Sequence, residues 1–326
     1  MFDPLALARR LIDIPSPTEQ EREAGAFLHE TLTGLGYDCR IQHVTGDRFN
    51  LFAAAGGRPR VVLNSHLDTV PPWFACAEDD NYLYGRGACD TKGVIAAMIA
   101  AGERLRAGGF DDFAFLFVVG EETDSIGAKS ANVAFKDLGS EFVVGGEPTE
   151  STFARASKGA LTIFAAFEGK AGHSAYPERG DSAINKMAAA IAAINAADWG
   201  THEILGKSTA NVGVVRGGEK PNIIAGSAEC QMMFRTVADP EVVRAQVEVL
   251  LAKHGGRVTL ARGNAPQFMT VPDGMPSTVV AFNTDVPWLT ALGKPLLFGP
   301  GSITDAHGPD EKIGKKDLLE AVQTYH

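Results

Sequence analysis

The sequence predicts an α/β protein in which a mostly parallel sheet is flanked by helices and a smaller α+β domain is inserted. Two short apolar runs, 113–119 and 141–145, alternate with helix-like segments, as buried parallel strands do. Between 158 and 263 the order becomes strand, helix, two strands, helix and strand, which is typical of a ferredoxin-like unit. We therefore predict a discontinuous first domain, 1–157 and 264–326, and an inserted domain, 158–263.

The first domain is expected to begin with a helix, because apolar residues from Leu5 to Ile14 have helical spacing. Ser16-Pro17-Thr18-Glu19 has the pattern of a capping box, which predicts a second helix that ends near Leu35. The Ala-rich segment 91–105 predicts a buried helix, and a further helix, capped by Asp285, is expected at 285–292. Other strands of this domain are predicted at 38–43, 50–54, 60–64 and 295–298.

The inserted domain is defined by alternating or apolar strand-like runs and two helical segments. A glycine pair at 217–218 and the turn around Pro221 separate its two central strands. Its strands are predicted at 161–168, 211–216, 228–235 and 257–261, and its helices at 182–197 and 240–254.

The composition is that of an ordinary globular protein, with 326 residues of which 45% are hydrophobic and 21% charged. A net charge of −10 argues against nucleic acid or an anionic membrane as a partner, since both attract basic surfaces. The four cysteines form no CxxC pair, and no apolar run approaches the roughly 20 residues of a membrane span. With no signal-peptide pattern at its start, the chain is expected to be cytoplasmic with reduced thiols.

Acidic and imidazole side chains recur immediately after the predicted strands. In open α/β sheets, ligands collect at the carboxyl ends of the strands, so residues distant in sequence can share one site there. Two adjacent carboxylates at such a position repel each other, and a cation beside them offsets this repulsion. These residues, which we predict to form a metal-dependent hydrolytic site, are His66, Glu121, Glu122, Glu147 and His307.

Asp90 is suited to bridge two metal ions, because the glycines around it allow tight turns of the backbone. His66 and His307 can bind as neutral nitrogen ligands. Asp68 can accept the other ring N–H of His66 and so fix its tautomer. One carboxylate of the pair at 121–122 can bind metal while its neighbour serves as general base, because adjacent side chains in an extended segment diverge.

The ordered motifs of the chain resemble those of the di-zinc amidohydrolases and exopeptidases. This family includes acetylornithine deacetylase, succinyl-diaminopimelate desuccinylase, aminoacylase and the glutamate carboxypeptidases, and the acetylornithine deacetylase branch is the most similar. The resemblance covers essentially the whole chain, and the motifs in order are highly specific. They are Ser65-His66-Leu67-Asp68-Thr69-Val70-Pro71, Gly85-Arg86-Gly87-Ala88-Cys89-Asp90-Thr91-Lys92-Gly93, Gly120-Glu121-Glu122, Gly146-Glu147-Pro148-Thr149, Gly172-His173-Ser174-Ala175-Tyr176-Pro177 and Ala306-His307-Gly308-Pro309-Asp310-Glu311.

The resemblance implies two divalent ions, zinc above all, with cobalt or manganese as alternatives. One ion would be held by His66, Asp90 and Glu147, and the other by Asp90, Glu122 and His307. Glu121 would be the general base, and Asp68 would orient His66. A cis peptide bond between Asp90 and Thr91 is also implied.

The inserted domain resembles the family's lid and dimerisation domain, which implies a homodimer. His173 would stabilise the oxyanion, from its own subunit or from the partner, although its type and place also suit an ordinary loop histidine. Arg235 and Asn222 match positions that bind the substrate carboxylate, but an arginine there could equally form a surface ion pair and an asparagine could shape a turn. Gly299 and Gly301 are expected to offer backbone N–H groups to the same carboxylate.

The activity implied is hydrolysis of the amide bond of a small N-acylated amino acid. Dipeptidase or C-terminal exopeptidase action on a dipeptide is the first alternative, because both occur in the family. A metal-binding relative without catalysis is the second alternative. Such a relative usually lacks the base or a ligand, and neither is missing here.

Overall fold

The computed structural model describes residues 2–326 and divides the chain into two compact units. The first unit comprises residues 2–155, Met269–Thr278 and Thr284–His326. The second comprises Ala156–Phe268 and Val279–Asn283. The second unit therefore extends a few residues beyond the predicted limits of 158–263 at both ends and includes a short later segment.

The first unit, over the described residues, is built on a six-stranded mixed sheet. Its last four strands in the spatial order run parallel, and the first two pair antiparallel. The spatial order is Asp38–Thr45, Arg48–Ala54, Phe113–Val118, Val61–His66, Phe142–Gly145 and Lys294–Leu297.

Helix Gly93–Ala107 fills the core against this sheet, and each residue of its first ten is buried. Gly102 permits the close approach, since a Cβ there would lie 2.5 Å from Phe115 Cζ. The remaining helices of the unit are Pro4–Ile12, Arg22–Gly34, Ile126–Ala134 and Lys315–Tyr325, and its short strands are Ala77–Glu78, Tyr82–Tyr84 and Lys312–Gly314.

The predicted capping box at 16–19 is wrong. The helix begins only at Arg22, and Glu19 has a positive φ of 78°. The backbone of Ser16 and Thr18 bonds to Thr69 instead, and the Thr18 hydroxyl donates to Asp68 Oδ2 at 2.9 Å. Pairing with a distant segment thus replaces the helix start that the local pattern predicted.

The predicted helix at 285–292 is also wrong. The segment forms two short 3₁₀ turns, Val286–Trp288 and Thr290–Leu292, because Gly293 follows at a φ of 116° and the chain enters the next strand. The side chain of Asp285 makes no capping hydrogen bond to the first of these turns.

The second unit has the predicted order of strand, helix, two strands, helix and strand. Its four-stranded antiparallel sheet alternates between buried and more exposed side chains, and the buried face packs on the two helices. The spatial order is Thr209–Gly217, Ser227–Thr236, Gly159–Glu168 and Gly256–Asn264, with helices Ala183–Ala196 and Pro240–Lys253.

Short two-stranded pairs lie in the loops of this unit, and three further strands lie where the chain passes between the units. Within residues 2–326, no helix has the length and apolar character needed to span a bilayer. The short pairs are Gly172–His173 with Ile223–Ile224 and Thr201–His202 with Gly206–Lys207, and the further strands are Phe153–Ser157, Gln267–Phe268 and Ser277–Val280.

Candidate metal centre

The predicted ligands meet at the carboxyl edge of the parallel strands. His66 ends strand Val61–His66, and Glu147 follows strand Phe142–Gly145 by two residues. The pair at 121–122 follows strand Phe113–Val118, and His307 lies on the loop after strand Lys294–Leu297. The shared direction of these strands brings together residues that are up to 241 positions apart (307 minus 66).

Asp90 contacts both histidines through different oxygens. Its Oδ1 lies 3.0 Å from His66 Nε2, and its Oδ2 lies 3.2 Å from His307 Nε2. Glu147 Oε2 lies 4.0 Å from the same nitrogen of His66, and Glu122 Oε1 lies 3.0 Å from that of His307. The two histidines therefore face opposite oxygens of Asp90, with Glu147 beside His66 and Glu122 beside His307.

The spacing of these atoms fits metal coordination. Ligand atoms of His66, Asp90 and Glu122 all lie within 4.8 Å of one another. Nitrogen and carboxylate ligands lie about 2 Å from a zinc ion, so donors about 3–4 Å apart can surround one. Two imidazoles and three carboxylates are also the donor types that zinc, cobalt and manganese accept.

The hydrogen bonds of His66 leave one of its nitrogens directed at a cation site. Nδ1 lies 2.8 Å from the backbone carbonyl oxygen of Asp68, and since a carbonyl only accepts, Nδ1 donates. Nε2 of the neutral ring is then an acceptor that faces Asp90 Oδ1, another acceptor, at 3.0 Å. Two acceptors this close require a proton or a metal ion between them.

Asp68 acts on this centre differently from the prediction. Its backbone carbonyl, not its carboxylate, receives the His66 N–H, and the carboxylate Oδ1 is 3.7 Å from that nitrogen. The buried carboxylate instead accepts the backbone N–H groups of Gly120, Glu121 and Glu122 at 2.9, 3.1 and 3.2 Å. Asp68 therefore holds the loop that carries the carboxylate pair.

The turn around Asp90 departs from helical geometry, as its glycine content predicts. Gly87 has a φ of 85°, a conformation that other residues rarely adopt, and a Cβ there would lie 2.8 Å from Thr69 Cγ2. The peptide bond between Asp90 and Thr91 is cis, as the family resemblance implies. The Asp90 side chain faces both histidines, and helix Gly93–Ala107 begins three residues later.

The surroundings of the centre raise the pKa of both histidines and of Glu121. Hydrogen bonds to Asp90 and to a second carboxylate raise the pKa of His307 to about 10. Burial lowers the pKa of His66, but the hydrogen bond to Asp90 and the charge of Glu147 outweigh it and raise that pKa well above its usual value. Burial and the charge of Glu147 raise the pKa of Glu121 well above the usual range. The arrangement thus favours positive charge at the positions that metal ions would take.

In the second unit, the predicted oxyanion donor His173 lies on an exposed short strand beside Ile223–Ile224. Its Nδ1 accepts the N–H of Ala175 at 3.1 Å. In a neutral ring the proton is then on Nε2, which is free to donate.

The other predicted substrate-binding residues differ in their surroundings. Asn222 is exposed, and its carbonyl accepts the N–H of Ser174 at 3.1 Å. Arg235 lies on a strand of the second unit, in register with Thr209. The structure places Asn222 next to the His173 loop and Arg235 on the sheet of the same unit.

The prediction for Gly299 is wrong. Its N–H donates to Thr149 Oγ1 at 3.0 Å and is therefore not available to a substrate carboxylate. This bond ties the loop after strand Lys294–Leu297 to the segment after Glu147. Gly301 has a φ of 86°, and its carbonyl accepts the N–H of Glu150 at 2.8 Å.

Asp285 is an acidic group near the centre that the sequence did not indicate as functional. It is 3% exposed, and within residues 2–326 neither of its carboxylate oxygens has a hydrogen-bond partner. Burial raises its pKa to about 7, although the nearby Ser125 hydroxyl and the charge of His66 oppose this. Its negative charge in turn raises the pKa of Glu121. Only the buried setting distinguishes it from an ordinary turn aspartate, and no sequence pattern shows that.

We expect Asp285→Asn to stabilise the metal-free protein at pH 8. The folded pKa of about 7 lies above the ordinary value of 3.8, so the folded state binds more protons between these values and stability falls as pH rises from 4 to 7. The ionised group then costs up to about 4 kcal/mol, and a buried amide costs about 1–3 kcal/mol, so we expect a gain of about 2 kcal/mol.

Urea unfolding at pH 5 and pH 8 measures this effect, with the exposed Asp273→Asn as the control. The free energy of unfolding should fall less between pH 5 and pH 8 in Asp285→Asn than in the wild type, whereas Asp273→Asn should behave like the wild type. An unchanged pH dependence in Asp285→Asn would show that the carboxylate is not a buried, destabilising group.

Comparison with known proteins agrees with the geometry. Residues 155–259 match the family described as the peptidase dimerisation domain of M20 peptidases. The chain is 35% identical to a peptidase M20 domain-containing protein of Schizosaccharomyces pombe, over 98% of this chain and 82% of the relative. It is 34% identical to a probable carboxypeptidase of Aspergillus flavus, over 98% of this chain and 88% of the relative.

Among solved structures, an M20 family metallo-carboxypeptidase from Sulfolobus solfataricus matches with a TM-score of 0.82. The match covers 100% of this chain and 98% of the other at 17% sequence identity, so it concerns the fold. The predicted α/β domain with a smaller inserted α+β domain is confirmed.

Proposed function

The chain belongs to the M20 peptidase family and is a hydrolase, and we propose that it uses two metal ions to cleave the amide bond of an amino acid with a free carboxylate. The observation that carries this proposal is the pair of contacts made by Asp90, with one oxygen toward His66 and the other toward His307. A carboxylate that faces two imidazoles from opposite oxygens has the geometry of a bridging ligand.

The side chains present fit two divalent ions. His66, Asp90 and Glu147 would hold one, and Asp90, Glu122 and His307 the other. Bound there, such ions polarise the scissile carbonyl and make a water molecule acidic enough to react near neutral pH. Zinc is the first choice, and cobalt or manganese also suit these ligands.

Glu121 is proposed as the general base, which takes the proton of the attacking water and later gives it to the leaving amine. It is the carboxylate of the pair that makes no contact with His307, whereas Glu122 lies 3.0 Å from that ring. Asp68 fixes the backbone of both through their N–H groups. A raised pKa suits a group that must hold a proton during the reaction.

His173 is proposed to stabilise the oxyanion of the tetrahedral intermediate. Its Nδ1 already accepts a backbone N–H, so the neutral ring can donate only through Nε2. Asn222 and Arg235 are proposed to bind the substrate carboxylate. The match to a dimerisation domain supports a homodimer formed through this unit.

The first choice of substrate is an N-acylated amino acid, because the motifs around 298–307 are most similar to the acetylornithine deacetylase branch. C-terminal exopeptidase action is the second candidate, supported by the 34% identity to a probable carboxypeptidase over nearly the whole chain. Both reactions cleave an amide next to a free carboxylate, and they differ in the group on the nitrogen side.

A substrate panel separates these activities. Zinc-loaded protein is assayed with acetyl-ornithine, succinyl-diaminopimelate, acetyl-citrulline and simple dipeptides, each alongside the analogue whose carboxylate is an amide. We expect hydrolysis of at least one acylated amino acid and a loss of kcat/KM of about 10²-fold or more in its amide analogue, because a site built for a charged group is then left unpaired. Faster cleavage of dipeptides would favour the exopeptidase. Two bound ions with no turnover of any substrate would indicate a metal-binding relative without catalysis.

A further inference from the structure

Arg86 and Glu311 form an ion pair inside the first unit, near Asp90. Arg86 Nη1 lies 2.6 Å from Glu311 Oε2, and the two side chains are 2% and 0% exposed. A buried pair of charges is seldom a net gain in stability over apolar side chains of the same volume, because both ions lose their hydration. Its presence in this position therefore calls for a role other than stability.

The second oxygen of Glu311 connects the pair to the metal centre. Oε1 accepts the backbone N–H of Asp90 at 3.2 Å and lies 3.7 Å from Cys89 Sγ. The backbone carbonyl of Glu311 accepts the N–H of Gly85 at 3.0 Å. One residue thus holds both ends of the turn that presents the proposed bridging carboxylate.

Glu311 is also the anchor of the His307 loop. His307 is 49% exposed and has a φ of 63°, and most of the residues between it and Glu311 are exposed. Glu311 is the first buried residue after this run. His66, in contrast, lies on a central strand at 1% exposure, with its ring held by a carbonyl oxygen.

Arg86 extends the connection to a third segment. Its Nε donates to the carbonyl of Pro72 at 3.1 Å, and its backbone N–H donates to that of Phe74 at 3.2 Å. The guanidinium lies over the Phe74 ring, 5.1 Å from its centroid. The planar guanidinium makes the Pro72 bond and the ring contact together with the ion pair, and lysine cannot reproduce this combination.

We infer that the Arg86–Glu311 pair is a positioning device that holds Asp90 and His307 in register for one of the two ions. The ion shared by Asp90, Glu122 and His307 depends on this pair, because Glu311 holds both the Asp90 turn and the end of the His307 loop. The ion shared by His66, Asp90 and Glu147 depends on it less, because His66 and Glu147 are placed by strand ends. This inference rests on the proposed two-metal function.

The test measures metal binding rather than turnover. Metal-free wild type and Glu311→Gln are titrated with zinc against a chelating competitor, well below their melting temperatures. We expect two ions in the wild type, and in Glu311→Gln one ion of unchanged affinity and one that binds about 10–100-fold more weakly, the usual effect of losing a group that orients a ligand. Arg86→Lys should show the same split and serves if Glu311→Gln does not fold.

A double variant distinguishes positioning from simple stability. Arg86→Met/Glu311→Leu removes both charges and keeps apolar volume, so it should fold as stably as wild type or better. The ion shared by Asp90, Glu122 and His307 should still bind more weakly than in the wild type, because the bond to the Asp90 N–H is gone. Surface variant Glu168→Gln, which removes the partner of Arg257 in the second unit, is the control and should keep both affinities.

The outcomes are distinct. Retention of both affinities in folded Glu311→Gln, or their restoration in the double variant, would overturn the positioning role. Equal weakening of both ions would overturn its selectivity. A wild type that binds fewer than two ions would instead refute the two-metal proposal itself.

Discussion

Glu121→Gln is expected to keep two metal ions bound and to lose about 10²–10⁴-fold in kcat. Glutamine retains the size of the side chain and leaves the backbone N–H of residue 121 on Asp68, so the loop should stay in place. It cannot take a proton from water at neutral pH. Steady-state kinetics with the best substrate of the panel, together with metal analysis of the same sample, measures both parts of the expectation.

Asp124→Asn is the matched control, since it makes the same chemical change on the same loop. Asp124 is exposed, and its side chain only accepts the N–H of Ile126 at 3.1 Å. Its kcat should stay close to that of the wild type. A Glu121→Gln enzyme with wild-type turnover would remove the residue from the role of base, and loss of metal in that variant would make it a ligand.

Removal of divalent metal by a chelator is expected to abolish turnover, and zinc, cobalt or manganese should restore it. The centre gathers four carboxylates around two imidazoles, and the raised pKa values of His307, His66 and Glu121 favour protons on these groups when no ion is bound. Activity that survives complete removal of metal, checked by elemental analysis, would contradict the proposal.

Metal affinity is also expected to depend on pH. His307, with a pKa of about 10 in the metal-free protein, carries a proton at pH 7 that an ion must displace. Metal binding should therefore release protons and become tighter as pH rises from 6 to 9. Calorimetry in buffers of different ionisation enthalpy detects this release, and a pH-independent affinity would exclude protonated ligands.

The convergence of acidic and imidazole side chains at one sheet edge could be predicted because these residues follow short apolar runs. Such runs mark parallel strands, and the carboxyl ends of parallel strands share one edge of the sheet. His66, Glu147 and His307 could be assigned to a common site on that basis alone. The inserted unit was equally visible, because its alternating strands and Ala-rich helices follow one another in a regular order.

Local patterns failed where a distant partner decided the outcome. No helix starts at 16–19, because the backbone of Ser16 and Thr18 bonds to Thr69 and the Thr18 hydroxyl binds Asp68, 50 residues away. Asp68 was expected to hold a histidine ring, but the three backbone N–H groups of the 120–122 loop converge on its carboxylate. Competition of this kind for a hydrogen-bonding group leaves no trace in the neighbouring sequence.

The residues that support the centre were the least predictable. Arg86 and Glu311 are 225 positions apart, and each taken alone resembles an exposed charge. Asp285 was predicted as a helix cap, and burial, which only the fold reveals, makes it unusual. The pattern of ligands is thus local in sequence, whereas the groups that orient them are set by tertiary packing.

Two divalent ions are proposed to lie on either side of Asp90. Anomalous diffraction from crystals of the zinc-loaded protein, recorded at the zinc edge, would show each ion and its ligands. We predict two peaks, each about 2 Å from its ligands: one shared by His66, Asp90 and Glu147, and one by Asp90, Glu122 and His307. The absence of any peak beside Asp90 in metal-loaded crystals would contradict the account.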